Sequence, residues 1–379
     1  MDKLEINNVI DSELKVFWGE EPKSINEATK VIKTNNLSYE GKISFENITF
    51  RQIDRNKIGP NYLKYGDLLI EKSGGTKTHS VGYVNYFDGE DNTYVANNFI
   101  LVLRPNKNKI ISKFLFYQIR YFYENGIFSD CYNKTTGIQN LKKETYLSKK
   151  IVVPSFEKQT KIQNELTNIE LLISSKNKLL KEFDELIKSR FIEMFDSIDK
   201  KVPLKEICSI AGGYSFKSTD ICSDGIKLLQ IGNVALNDLD WSTTNYLPVG
   251  FEKQRPNFLL KEDDIVVALT RPIIQSLGNV KACIVKQEDL PCLLNQRVGK
   301  IQCIEGKSVV NYIFGCLMTE DFTEYVKSCC TGCSQPNIST KDIESYQVPN
   351  VNIESQLAFS NFKELIDKSK FVCHSRYFL

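Results

Sequence analysis

The sequence predicts an α+β chain. Two sheet-rich domains lie in tandem, each followed by a long helix, and the two helices pack as an antiparallel coiled coil. Three observations carry this expectation. The chain repeats itself once, at a spacing of 197 residues. Each copy holds short β-branched and aromatic stretches separated by polar turns, the mark of sheet. Each copy then runs into a segment whose apolar residues recur at alternating steps of three and four, the mark of an amphipathic or coiled-coil helix.

The repeat is legible residue by residue. Asn36-Leu37 matches Asn233-Val234, Leu63-Lys64 matches Leu260-Lys261, and Asp67-Leu68-Leu69-Ile70 matches Asp264-Ile265-Val266-Val267. Asn98 falls on Asn295, Asn140-Leu141 on Asn337-Ile338, and Gln159 on Gln356. Two diverged copies of one domain imply one task performed on two different targets.

The first copy is expected over 1–153, with strands at 42–49, 67–71, 82–87 and 98–104. The spacing of Phe114, Leu115, Ile119 and Phe122 predicts one helix over 110–123. Pro154 then opens a segment free of Gly and further Pro as far as Ser197. Its seam is Ile162, Leu166, Ile169, Ile173, Leu180, Phe183 and Ile187, with Lys176 interrupting it. A spacer helix over 154–199 would be a rod of about 60 Å. The second copy is expected over 200–349, with strands at 227–230, 264–269, 281–285 and 298–303. A helix over 309–325 has Ser308 as its N-cap. A second spacer helix, over 350–379, carries Leu357, Phe362 and Leu365 and is shorter than the first. Two such rods joined through a compact domain can lie antiparallel and bury their seams together.

Composition narrows the class. The chain has 379 residues, 41% hydrophobic and 25% charged, as expected of a soluble globular protein. No apolar run reaches the ~18 residues of a membrane helix, and Met1-Asp2-Lys3-Leu4-Glu5 lacks a signal core, so the cytoplasm is expected. Net charge is only +2, so any nucleic-acid contact must come from a local face or lean on a basic partner. The 11 cysteines are mostly scattered singly. Cys330 and Cys333 have half of a zinc spacing, with only Cys373 and His374 as distant candidates, and no metal site is expected.

Catalytic signatures are missing. None of the 11 prolines is adjacent to another, so the Asn/Asp-Pro-Pro-aromatic turn of a base-directed amino-methyltransferase is absent. There is no phosphate-binding Gly-x-x-x-x-Gly-Lys-Ser/Thr loop. Two histidines, His79 and His374, leave little for triad chemistry. The Glu-x-Lys triplets at Glu13, Glu40 and Glu305 are not repeated in the other copy. Asp263-Asp264 corresponds to Gly66-Asp67, a turn entering a strand. No catalytic residue is expected.

Two pairs of polar loops remain as candidate contacts. The stretch 73–80 carries Lys77, Thr78 and His79, suited to phosphate and base edges. Its counterpart 270–276 carries Arg271 and Gln275, suited to bidentate readout of guanine and adenine. The second pair, 133–140 and 331–337, carries Gln139, Asn140, Gln335 and Asn337. Each loop can equally be a solvated turn with side-chain bonds to backbone.

In this order, twice over, the motifs resemble the specificity subunit of type I restriction–modification systems. They are Tyr65-Gly66-Asp67-Leu68-Leu69, Thr136-Gly137-Ile138-Gln139-Asn140-Leu141, Val153-Pro154 and Gln159. The second set is Glu262-Asp263-Asp264-Ile265-Val266, the stretch 334–338, Val348-Pro349 and Gln356. The resemblance implies target-recognition domains 1 and 2 reading the halves of a split, asymmetric double-stranded DNA site. It also implies helices that set the unread spacer and dock two modification (adenine methyltransferase) subunits, which bind S-adenosylmethionine. Restriction subunits would add ATP- and Mg²⁺-dependent translocation and cleavage, and the chain itself would bind no cofactor. Rival expectations are a nuclease fused to its own DNA reader and a repeat scaffold that binds proteins and no DNA.

Overall fold

The computed structural model describes residues 2–76, 79–135, 138–274, 278–330 and 336–375. They divide into two compact units, Met1–Ile173 and Ser174–Leu379.

Both units are built on the same four-stranded antiparallel sheet. In the first, the order is Ile10–Glu13, Ile100–Pro105, Leu68–Glu71, Val84–Tyr86; in the second it is Cys208–Gly212, Val298–Cys303, Ile265–Ala268, Ala282–Ile284. The strand after Asp67, and after its counterpart Asp264, opens with three apolar residues in a row because both of its faces are covered. Leu68 and Ile70 enter one cluster with Leu103 and Phe116, while Leu69 enters another with Val102 and Phe87. Ile265 and Val267, against Val266, repeat that division.

A smaller sheet flanks each. Thr29–Ile32 pairs parallel with Tyr94–Ala96 and antiparallel with Thr49–Arg51; Ile226–Leu229 does the same with Cys292–Leu294 and Asn245–Leu247. A short antiparallel pair closes each copy, Asp2–Glu5 with Lys150–Val153 and Lys201–Pro203 with Gln347–Pro349.

Four expectations need correction. The strand expected over 42–49 is loop apart from a bridge at Ile43 and the strand that begins at Thr49. A side chain replaces the neighbouring strand there: Asn36 accepts from Lys33 N and donates to the Ser44 and Glu46 carbonyls. Asn233 does the same with Gln230, Asp240 and Thr243. The single helix expected over 309–325 is two, Val310–Leu317 and Glu320–Cys329, because Thr319 Oγ1 caps the second by accepting from Phe322 N. Ser308 does not cap the first; its hydroxyl donates to the Ile207 carbonyl at 2.6 Å. Finally, the counterpart of Asn295 is Asn97, not Asn98. Asn97 N donates to Ile32 O and Asn295 N to Leu229 O, and each carboxamide oxygen accepts the amide two residues on. The spacing is therefore 198 from Val84, whose counterpart is Ala282, through Ile111, whose counterpart is Val309, and 197 at Leu68 before and Leu141 after.

The long helix spans Phe156–Phe195, and the unit boundary falls inside it. Its first part is fastened to the helix Ser112–Glu124 by Tyr117, whose hydroxyl donates to Glu170 at 2.8 Å, and by Arg120 on the same carboxylate. Its end supplies Phe191 and Phe195 to the second core, against Tyr312 and Phe359. Gly315 permits this, since a Cβ there would lie 2.5 Å from the Phe191 ring.

The closing helix, Ile353–Ser375, runs antiparallel to this end: Phe359 meets Phe191, Arg190 lies over Phe362, and Lys370 binds Asp184 at 2.6 Å. Along the expected seam, Leu166, Leu180, Phe183, Ile187 and Phe362 are half-buried, while Ile162, Ile169, Ile173, Leu357 and Leu365 are exposed. Leu171, Leu172, Leu179, Leu186 and Ile192 are exposed as well. Among the described residues, no helix is long and apolar enough to cross a membrane.

Candidate nucleic-acid interface

Each copy launches its candidate loops from one clamped turn. Gly66 and Asp263 both take positive φ, 93° and 67°, which turns the chain into the central strand. The next residue locks the turn. Asp67 accepts from Lys64 N at 2.8 Å and from Arg104 on both oxygens. Asp264 accepts from Lys261 N at 2.9 Å and Gln302 Nε2 at 2.6 Å, with Lys300 3.9 Å away. Asp263-Asp264 is thus a turn and a clamp. Among the described residues, no cluster of three His, Cys, Asp or Glu side chains could hold a metal ion.

The central strand delivers the first loop, and the second loop comes to meet it. In the first copy, Lys72 O accepts from Leu141 N at 2.8 Å, and Ser73–Gly74 adds to the hairpin of Tyr132–Thr135 and Ile138–Leu141. Gln139 accepts from Val81 N and donates to Thr76 O, while Asn140 Oδ1 accepts from the Ser73 hydroxyl at 2.6 Å. Both amides therefore shape the edge by tying the loops together. His79 is exposed and stacks on Tyr39, ring centroids 3.8 Å apart. Lys77 and Thr78 lie outside the described residues.

In the second copy, Leu269 O accepts from Ile338 N at 2.9 Å, and Thr270 bridges Asn337. Arg271 is exposed, with positive φ, and its amide donates to Pro336 O. Here the loop forms its own hairpin, Ile273–Ile274 with Asn279–Val280, in place of the three-stranded edge. Gln275 and Gln335 lie outside the described residues, as does Cys333. The two copies share a frame and differ at this edge.

Beneath the first edge lies Glu71. It is buried, with Oε2 lacking a hydrogen-bond partner, and burial pushes its carboxyl pKa up, partly offset by the Gly75 amide. Two turns that sequence reasoning missed adjoin these edges, at 97–100 and 295–298. Their signal was a buried Asn followed by an exposed dipeptide, hidden by the one-residue slip in the repeat.

With this geometry in view, the family is plain. The model for the type I restriction modification DNA specificity domain matches residues 23–184 and again 199–367, and the chain belongs to that family. It is 31% identical over 286 residues to the type I restriction enzyme MjaVIII specificity subunit of Methanocaldococcus jannaschii, covering 70% of this chain and 66% of that one. It is 34% identical over 168 residues to the EcoAI specificity subunit of Escherichia coli, covering 43% of this chain and 27% of that one. The chain thus spans just under two thirds of the first relative and about a quarter of the second. The fold matches the crystal structure of a type I restriction-modification S subunit from M. genitalium, with a TM-score of 0.55 at 16% identity, covering 98% and 91% of the two chains.

Proposed function

We propose that the chain is the DNA-reading specificity subunit of a type I restriction–modification complex, each copy reading one half of an asymmetric bipartite duplex. The observation that carries this reading is the pairing of a frame shared by both copies with edges that differ between them. Asn36 and Asn233, Asp67 and Asp264, and Gln159 and Gln356 hold matching backbone groups, while the two loop edges they support are built differently.

The chain is non-catalytic and binds no cofactor. S-adenosylmethionine, ATP and Mg²⁺ act through two adenine methyltransferase subunits and the restriction subunits, in the cytoplasm. The exposed Leu171, Leu172 and Leu179 on the long helix supply apolar surface for such partners. A net charge of +2 fits an assembly in which partners share the phosphate contacts.

The test is a mobility shift of the chain assembled with its modification subunits. One bipartite duplex should bind far more tightly than a scrambled duplex of equal length; equal binding would refute the reading. Incubating the chain alone with duplex DNA and Mg²⁺ should leave the DNA intact, and cleavage would favour a nuclease.

A further inference from the structure

We propose that the turns 97–100 and 295–298 are base-reading tips, with Arg297 reading guanine in one half-site and Asn98-Phe99 reading an adenine·thymine pair in the other. The inference rests on the reading of the chain as a DNA specificity subunit.

The two turns are one device built twice. Ile100 N donates to Asn97 O at 3.1 Å, and Val298 N to Asn295 O at 2.9 Å, closing four-residue turns. Each leading Asn is buried, and its Oδ1 accepts the amide of Phe99 or Arg297 at 3.3 Å. The central residues, Asn98-Phe99 and Gln296-Arg297, are all exposed. The frame spends a buried carboxamide in each copy to hold a dipeptide outward.

The turns sit where the candidate loops meet. Phe99 O accepts from Lys72 N at 2.8 Å, and Lys72 O accepts from Leu141 N. Arg297 O accepts from Leu269 N at 2.9 Å, and Leu269 O accepts from Ile338 N. One residue in each copy therefore ties the turn to the second loop and begins the first. Three segments converge there.

The chemistry is suited to reading and differs between copies. Among the described residues, the Arg297 guanidinium has no acidic partner. It borders a cleft of about 530 Å³ that includes Gln230, Thr244, Asn245 and Gln296 and no acidic side chain. Asn245 donates to Gln230 at 2.7 Å across it. A free guanidinium fork matches guanine O6 and N7; Asn matches adenine N6 and N7, and an apolar ring packs on the thymine methyl. Phe99 is 51% exposed, an apolar surface that such a methyl contact would cover.

The experiment uses the full chain assembled with its modification subunits and a pool of duplexes with two randomised half-sites. Wild type should select a bipartite consensus, and failure to select any would overturn the underlying specificity-subunit reading. With a consensus in hand, Arg297→Ala should lose its preference at one G·C pair in one half-site and bind the wild-type consensus about 10- to 100-fold more weakly. Phe99→Ala should lose preference at one A·T pair in the other half-site. Arg297→Lys, which keeps the charge without the fork, should lose the guanine preference too and guards against misfolding of the alanine variant. An unchanged consensus in Arg297→Lys and Phe99→Ala overturns the proposal. So does weakening that is uniform across sequences, which would make Arg297 a phosphate contact.

Discussion

Replacing Gln356 by alanine should destabilise the second unit more than Gln159→Ala destabilises the first. Both side chains are buried, at 1% exposure each. Gln356 makes three backbone bonds: it accepts from Val309 N at 2.9 Å and donates to Val351 O at 2.9 Å and Lys307 O at 3.2 Å. Gln159 makes two, accepting from Ile111 N at 2.8 Å and donating to Pro154 O at 2.9 Å. At about 1 kcal/mol net per bond, the losses are about 3 and about 2 kcal/mol. A loss of 3 kcal/mol should lower the melting temperature of a unit this size by about 6–12 °C.

The chain has 2 tryptophans, Trp18 in the first unit and Trp241 in the second. In a Trp18→Phe background, guanidinium unfolding followed by indole fluorescence reports the second unit, and Trp241→Phe reports the first. A Gln356→Ala loss below about 1 kcal/mol would refute the role of the amide. A loss no larger than that of Gln159→Ala would refute the bond count.

Further outcomes follow from the same packing. Phe359→Ala, which empties the ring cluster of Phe191, Phe195 and Tyr312, should cost about 3–5 kcal/mol in the second unit by the same unfolding assay. Asp67→Ala leaves Arg104 without its carboxylate, whose hydrogen bond raises the guanidinium pKa, and should cost about 3–5 kcal/mol in the first unit. Burial raises the Glu71 pKa above its ordinary 4.5, so the folded state holds a proton that the unfolded state releases. The stability this contributes is fully present below 4.5 and is lost as pH rises through the folded pKa. Glu71→Gln should therefore melt above wild type at pH 8 and converge with it at pH 4, by calorimetry; an unchanged gap would sink the argument.

Much of this was legible where one physical rule dominates. The long helix was, because 40 residues free of Gly and Pro, with apolar residues recurring at steps of three and four, leave little choice, and it ends at Phe195 close to the expected limit. Strands 68–71 and 265–268 were, because both faces are buried and each opens with three apolar residues in a row. Legibility failed where a single polar side chain substitutes for an element. Asn36 supports its segment without a strand, and Thr319 ends one helix by capping the next. The loops 73–80 and 133–140 could be paired with their counterparts from sequence, but only tertiary structure shows that Gln139 and Asn140 are bonded between them. Arg297 and Phe99 escaped because the Asn that leads each turn was paired one residue out of step, Asn98 in place of Asn97 with Asn295.

The one-residue slip has a practical consequence for anyone splicing this gene. Side chains on a strand alternate faces, so a crossover made at a fixed 197 offset anywhere between Val84 and Ile100 would shift the strand at Ile100–Pro105 or Val298–Cys303 by one position against its partner. Leu101 and Leu103, which belong to the cluster on the helix-covered side, would exchange faces with Val102, which belongs to the opposite cluster. A hybrid joined at Asp67 and Asp264, or at Asn140 and Asn337, keeps the parity of every strand. Two copies that look collinear on paper can be recombined freely at their ends and not through their middle.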